Sequence, residues 1–306
     1  MVSRRGFLAE SIALGSLLFS RTGQALEPGR PSRTARGVAL QRAAHQLLET
    51  PRVFDDPLAL RVFGAEGVAW LGRNLERYRR DSSRAMRAFL VMRSRYAEDL
   101  LVEAAARGVR QCVVLGAGLD TFGYRNPIRD LRTFEVDHPD TQRWKRDWFA
   151  GQGIAAPSSL TFAPVDFERQ KIADGLRAAG FRDDRPAFFS WLGVVVYLSK
   201  EAVTETLRFA ASCAPGSGLV FDYSPPADAL NEAERAWRAA AEARVASLGE
   251  PWVSYFGPRE LRDQLLSLGF SSAQSADSSE LNQRYFDDRT DGFRLRGAGR
   301  MMAARV

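Results

Sequence analysis

The run Val113-Val114-Leu115-Gly116-Ala117-Gly118-Leu119-Asp120-Thr121 has the residue types of a ligand-binding turn. An apolar strand leads into two glycines, and glycine lets the backbone approach a ligand where any Cβ would clash. The segment Phe134-Glu135-Val136-Asp137 then places an acid at the end of a second strand, where a carboxylate accepts from the hydroxyls of a ribose. Glu135 and Asp137 are two apart and so share a sheet face, but Asp137 is nearer the strand end and is the stronger candidate. At the next strand end stands Pro164-Val165-Asp166-Phe167. Asp166 there suits an exocyclic amine of an adenine, with Phe167 beside the ring, although an Asp in this place serves equally as a helix N-cap. Ahead of the glycine turn, Met92-Arg93-Ser94-Arg95-Tyr96 offers Arg93 or Arg95 to a ligand carboxylate through a charge-assisted pair. For either arginine alone a solvated helix face is the ordinary alternative. A dinucleotide fingerprint has Gly or Ala three residues after its second glycine. Thr121 stands at that position, which disfavours a pyrophosphate.

These residues need elements that bring several strand ends together. The apolar spacing predicts helices over residues 36–49 and 82–107, the second closed by Gly108. From there the chain alternates. Strands are expected at 112–115, 131–136, 160–165, within 187–197, and at 219–223. Helices are expected around 144–149, 172–179 and 202–213. Two amphipathic helices follow, at 227–248 and 258–268, and the tail from 292 to 306 can add one or two strands. Strand, turn, helix repeated five times argues for an α/β fold, a mostly parallel doubly wound sheet with helices on both faces. In such sheets ligands bind beyond the carboxyl ends of the strands, where every motif above falls.

Composition narrows the partners. The 306 residues carry 43 Lys+Arg against 37 Asp+Glu, a net charge of +6. Lys supplies only three of the basic residues (Lys145, Lys171, Lys200), and the 40 Arg are spread along the chain among acids. Nucleic-acid binding needs a clustered basic patch, so no nucleic-acid partner is expected. No stretch reaches the roughly 20 apolar residues of a bilayer span, so stable membrane insertion is not expected either. Cys112 and Cys213 are too few for a disulfide framework or a four-ligand zinc site and read as buried thiols. His45 and His138 are too isolated to suggest a metal, and none is expected.

The start of the chain reads differently. Ser3-Arg4-Arg5-Gly6-Phe7-Leu8, followed by an apolar run to Phe19 and by Gly23-Gln24-Ala25, resembles a twin-arginine export signal. Glu10 interrupts the apolar run, and a short helix or an early start codon would look similar. The expected organisation is a signal at 1–25, a Pro/Gly linker at 26–31 and a catalytic domain at 32–306.

Taken together, the ordered motifs resemble the S-adenosylmethionine-dependent methyltransferases of the leucine carboxyl methyltransferase type. The resemblance spans roughly residues 32 to 223. It begins with Ser32-Arg33-Thr34-Ala35 and Arg42-Ala43-Ala44-His45, and continues through Val53-Phe54-Asp55-Asp56-Pro57-Leu58-Ala59. It is most specific in Leu115 to Thr121 with Tyr124-Arg125, and in Phe134-Glu135-Val136-Asp137. Ala214-Pro215-Gly216-Ser217 and Leu219-Val220-Phe221-Asp222-Tyr223 complete it.

The resemblance implies a Rossmann-like methyltransferase fold and S-adenosyl-L-methionine as the methyl donor. It places Arg93 near the methionine carboxylate and Gly116, within the Gly116–Gly118 turn, against the amino acid moiety. It places Asp137 on the ribose, and Asp166 with Phe167 at the adenine. The acceptor it implies is a small molecule methylated on oxygen, a carboxylate among the candidates. Such a carboxylate is ionised at pH 7 and needs no general base, whereas a hydroxyl does. No catalytic base stands out. One departure is Leu192, where the family often has a Glu that contacts the cofactor. Leu192 and the export-like start leave room for a non-catalytic exported binding protein on this fold. A nicotinamide-dependent oxidoreductase is the enzymatic alternative. Export and a cytoplasmic methyl donor pull the expected location in opposite directions.

Overall fold

Ser32 opens the first helix: its hydroxyl accepts the Ala35 N–H at 3.1 Å, one of the donors a helix start leaves unpaired. The computed structural model describes residues 32–167 and 170–306; the export-like segment 1–25 and the linker 26–31 lie outside the described residues. Helix α1 (Arg33–Leu48) leads through the short helices α2 (Leu58–Arg61), α3 (Gly64–Arg73) and α4 (Leu75–Arg79) into the long α5 (Asp81–Ala106). The alternating part runs β1 (Gln111–Leu115), α6 (Phe122–Arg125), β2 (Arg132–Asp137), α7 (Pro139–Gly151), β3 (Leu160–Pro164), α8 (Ile172–Ala178), β4 (Ala187–Trp191), α9 (Lys200–Ala211) and β5 (Gly218–Tyr223). It is followed by α10 (Glu232–Ser247), α11 (Pro258–Ser267), β6 (Ser272–Ala276), α12 (Ser278–Tyr285) and β7 (Arg300–Arg305).

The seven strands form one sheet in the order β3-β2-β1-β4-β5-β7-β6. Strands β1 to β5 are mutually parallel, and β7 runs antiparallel to both β5 and β6. Strand order reverses between β1 and β4, which makes the carboxyl ends of these two strands the expected ligand crevice. Side chains alternate across the sheet. Val113 and Leu115 pack on one face with α9 and α11 through Val203, Leu207, Leu261 and Leu265. Cys112 and Val114 pack on the other with α5 and α12 through Val91, Met92 and Leu281. Both faces are therefore covered by helices, as a buried parallel sheet requires. A third apolar cluster, including Ala43, Leu71, Leu119 and Phe149, seats α1 to α4 on the domain. No helix among the described residues is long and apolar enough to cross a membrane.

The α/β expectation and the doubly wound sheet hold, and the differences have local causes. The helix expected from residue 227 starts at Glu232, because Asn231 and Glu234 close a capping box there; residues 227–229 form a single 3-10 turn. Strand β4 stops at Trp191, where Gly193 turns the chain with φ +73°. The tail contributes one strand, β7. The sequence reading contained neither β6 nor α12. Strand β6 is Ser-Ala-Gln-Ser-Ala, residues of low strand propensity, and lies at the sheet edge.

Candidate functional site

The glycine turn and the β2 acid meet directly. After β1 the chain turns through Gly116 at φ +63° and Gly118 at φ +46°, both in the left-handed region that favours glycine. The Gly118 N–H donates to Asp137 Oδ2 at 2.6 Å, and the His138 N–H donates to Asp137 Oδ1 at 2.7 Å. Burial pushes the Asp137 carboxyl up, and these two N–H bonds offset only part of that rise. The bareness of Gly116 serves packing, since a Cβ there would collide with Val194 Cγ2. Only its backbone is left for a ligand. Glu135 goes elsewhere: it is fully buried and bound at 2.8 Å by Lys145 of α7. Burial raises its carboxyl to about 7, against the pull of Lys145.

The next strand end lies alongside. The Val165 N–H donates to the Asp137 carbonyl at 2.9 Å, which brings Asp166 beside the β2 end. Asp166 and Gln170 are tied both ways, Asp166 N–H to Gln170 Oε1 at 2.9 Å and Gln170 N–H to the Asp166 carbonyl at 2.8 Å. Helix α8 begins only at Ile172, with Lys171 before it and no side-chain cap, so Asp166 is not its N-cap. Phe167 is half-buried against the core.

On the other side of the crevice the two arginine candidates separate. Arg95 is exposed and paired with Asp99 at 2.7 Å. Arg93 is buried and points to the end of β5, where Nη1 donates to Asp222 Oδ2 at 3.0 Å. The other oxygen, Asp222 Oδ1, accepts the Gly193 N–H at 2.5 Å. A Cβ on Gly193 would sit 2.7 Å from Arg93 Nη2, so the glycine lets the guanidinium lie against the backbone after β4. Gly116, Val194, Gly193, Arg93 and Asp222 thus form one continuous wall. Sequence reasoning did not single out Asp222, because its partners stand 29 and 129 residues away.

Beneath the glycine turn lies a buried charge network, also absent from the sequence reading. Arg42 bonds Asp56 and, at 3.3 Å, Asp120; Arg125 bonds Glu98 and, at 3.3 Å, Asp56. Thr121 Oγ1 donates to Asp56 at 2.8 Å and accepts from Arg42 at 2.6 Å and Arg125 at 3.1 Å. Although burial would raise it, the Asp120 carboxyl is held below its usual range by Arg42 and Arg125. Thr121, which departs from the dinucleotide pattern, is therefore a tie point of the floor.

The crevice is roofed from both ends of the chain. Ala35 of α1 lies over Gly118, 3.4 Å from where a Cβ would stand. Residues 250–257 cross the ends of β4 and β5. Val253 N–H donates to the Val196 carbonyl at 2.7 Å and Phe256 N–H to the Ser224 carbonyl at 3.1 Å. Glu250 joins the two covers: it accepts from Ser32 Oγ at 2.8 Å, from the Arg33 N–H at 3.0 Å and from Thr34 Oγ1. A carboxylate there also complements the positive end of α1.

A family scan of the sequence matches residues 35–211 to the leucine carboxyl methyltransferases. The chain belongs to the leucine carboxyl methyltransferase family. A Bacillus subtilis protein, provisionally described as an S-adenosyl-L-methionine-dependent methyltransferase, is 30% identical over 281 residues, covering 83% of this chain and 90% of its own. A Mycobacterium tuberculosis protein of the same provisional description is 34% identical over 215 residues, covering 64% of this chain and 68% of its own. Two solved structures share the fold. One is a provisionally described methyltransferase of Thermobifida fusca (TM-score 0.55, 18% identity, 90% of this chain and 95% of that one). The other is a protein of the DUF574 family from Streptomyces avermitilis (TM-score 0.53, 17% identity, 90% and 97%). This member of the family is an S-adenosyl-L-methionine-dependent methyltransferase, and the oxidoreductase alternative falls.

The residues of the crevice fit such a cofactor. A carboxylate offers about four lone-pair positions, and Asp137 uses two on backbone N–H groups. Two remain for a vicinal diol. Arg93 has five N–H donors and gives one to Asp222.

Proposed function

We propose that this methyltransferase acts on an oxygen of a small-molecule acceptor, a carboxylate, with Arg93, Gly116, Gly118, Asp137, Asp166 and Phe167 holding the cofactor. When bound, S-adenosyl-L-methionine supplies a methyl group on a positively charged sulfur. In this reading Asp137 accepts from the ribose hydroxyls, the backbone of Gly116 to Gly118 lies against the amino acid end, and Arg93 takes its carboxylate. Asp166 and Phe167 meet the adenine. The observation that carries the cofactor half is the clasp between Asp137 and the Gly118 N–H, which makes one surface of the glycine turn and the β2 acid.

The carboxylate half is supported by how the chain's two histidines are used. His45 is buried, bonded to Glu49 at 2.9 Å, and burial lowers its pKa. His138 Nδ1 accepts the Asp140 N–H at 3.2 Å and so caps α7. Burial raises the Tyr197 phenol further from ionisation at neutral pH. A hydroxyl acceptor needs a base with a pKa near the working pH, and an ionised carboxylate needs none. Holding acceptor and methyl at ~3–3.5 Å in line then supplies ~7–11 kcal/mol of the rate enhancement.

The test has two stages. Calorimetric titration of the full chain with S-adenosyl-L-methionine and its demethylated product, with NADH as control, is expected to show binding of both sulfur ligands and none of NADH. Release of the demethylated product is then followed over a panel of carboxylic acids and alcohols at pH 6 to 9. A carboxylate acceptor gives turnover that is flat with pH above the acid's own pKa. Turnover confined to alcohols and rising with pH would defeat the carboxylate assignment.

A further inference from the structure

Asp222 is more than a counter-ion for a buried arginine. Its two oxygens are committed to one N–H each, Gly193 on Oδ1 and Arg93 on Oδ2, which leaves each oxygen lone-pair capacity. It stands at the carboxyl end of β5, on the wall that continues from Gly116 through Val194 and Gly193. A lone buried guanidinium would favour any anion. A guanidinium and a carboxylate side by side, 3.0 Å apart and together neutral, favour a ligand that carries both signs at one end. The amino acid end of the cofactor is such a group, with an ammonium and a carboxylate on the same carbon. Position 192, where the family often places a Glu toward the cofactor, holds an apolar Leu in this chain.

We propose that Arg93 and Asp222 together read this zwitterion, Arg93 the carboxylate and Asp222 the α-ammonium, so that Asp222 supplies from β5 the acidic contact that Leu192 cannot make. The proposal rests on the cofactor reading above. Asp222 is thereby a specificity-determining residue. It accepts from an ammonium group, holds Arg93 in place, and fixes the Gly193 turn through the same carboxylate.

The test uses the full chain, calorimetry and three ligands: S-adenosylhomocysteine, its analogue without the α-amino group, and 5′-methylthioadenosine, which lacks the amino acid end. For the wild type, removing the amino group is expected to weaken binding about 10- to 150-fold, the range for a hydrogen bond to a charged group. Asp222→Asn is expected to weaken S-adenosylhomocysteine by a similar factor, to leave 5′-methylthioadenosine unchanged, and to erase the preference for the amino group. Equal wild-type affinity for the first two ligands overturns the proposal. So does an Asp222→Asn protein that keeps the preference, or that loses 5′-methylthioadenosine as strongly as S-adenosylhomocysteine, the mark of a merely structural role. Should the variant not fold, the wild-type ligand series decides alone. Absence of wild-type binding to all three adenosyl ligands would instead bring down the cofactor reading, and this proposal with it.

Discussion

Arg42 and Arg93 are both buried at the carboxyl end of the sheet, and they are held in opposite ways. Arg42 is tied by Asp56, Asp120 and Thr121 within a network that also takes in Arg125 and Glu98. Arg93 has one ion pair, to Asp222, and lies against a glycine. Desolvating a guanidinium costs several kcal/mol, so each needs a counter-charge. Three acids and a hydroxyl around two arginines make a rigid floor. One acid beside one arginine leaves donors over, as the proposed binding role of Arg93 requires. The number of partners, rather than burial itself, is what distinguishes the two arginines and underlies the binding role proposed for Arg93.

The contrast can be broken in order of expected size. Asp56→Ala removes the acid that Arg42, Arg125 and Thr121 share, and leaves buried positive charge behind. A loss of ~3–5 kcal/mol of stability is expected by urea denaturation; a loss below ~1 kcal/mol would mean that the floor is not what anchors the turn. Asp137→Ala acts on binding: a fall of ~1.5–3 kcal/mol, about 10- to 150-fold, in affinity for S-adenosylhomocysteine is expected by calorimetry. Unchanged affinity would remove Asp137 from the site. Gly193→Ala sharpens the wall. A side chain at φ +73° costs ~1–2 kcal/mol of stability, and its Cβ displaces the Arg93 guanidinium, so affinity for S-adenosylhomocysteine falls while that for 5′-methylthioadenosine holds.

A separate effect, read as a pH slope, concerns a third buried pair, Glu135 with Lys145. Burial raises the Glu135 carboxyl to about 7 from an ordinary 4.5, so the folded protein keeps a proton that the unfolded chain releases. This contribution to stability is complete below pH 4.5 and is lost as pH rises through 7. Glu135→Gln should flatten the stability profile across that window in parallel denaturation curves. An unaltered slope would place the titration elsewhere.

The same contrast explains what the sequence disclosed. Gly116, Gly118 and Asp137 lie in two short runs whose residue order states their geometry: strand, tight turn, strand, acid. Cys112 to Leu115 is legible as a short apolar strand for the same local reason, while the division of its residues between the two faces comes only from the fold. Asp222 lies inside an apolar strand, and nothing near it says that Arg93, 129 residues earlier, will turn toward it. Glu250 stands just past a charged helix, where nothing local marks it out, yet it binds residues 216 to 218 positions away. Arg42, Asp56, Thr121 and Arg125 each fell in a motif that supported the family resemblance. Their meeting in one network, however, is a product of tertiary packing that no local pattern encodes. Strand β6 was missed for a simpler reason, as Ser, Ala and Gln carry neither strand propensity nor an apolar alternation.

The place of β7 bears on how the chain is made. It follows β6 in sequence but is inserted between β5 and β6, bonding both. While the polypeptide emerges from the ribosome, β6 has no partner, and β5 shows an open row of backbone donors and acceptors beside Leu219 and Phe221. Such an edge invites pairing with another nascent chain. Residues 300–305 close it from both sides at once. The sheet cannot close until residues 300–305 have been made, and until then the β5 edge is the part of the sheet most open to a wrong partner.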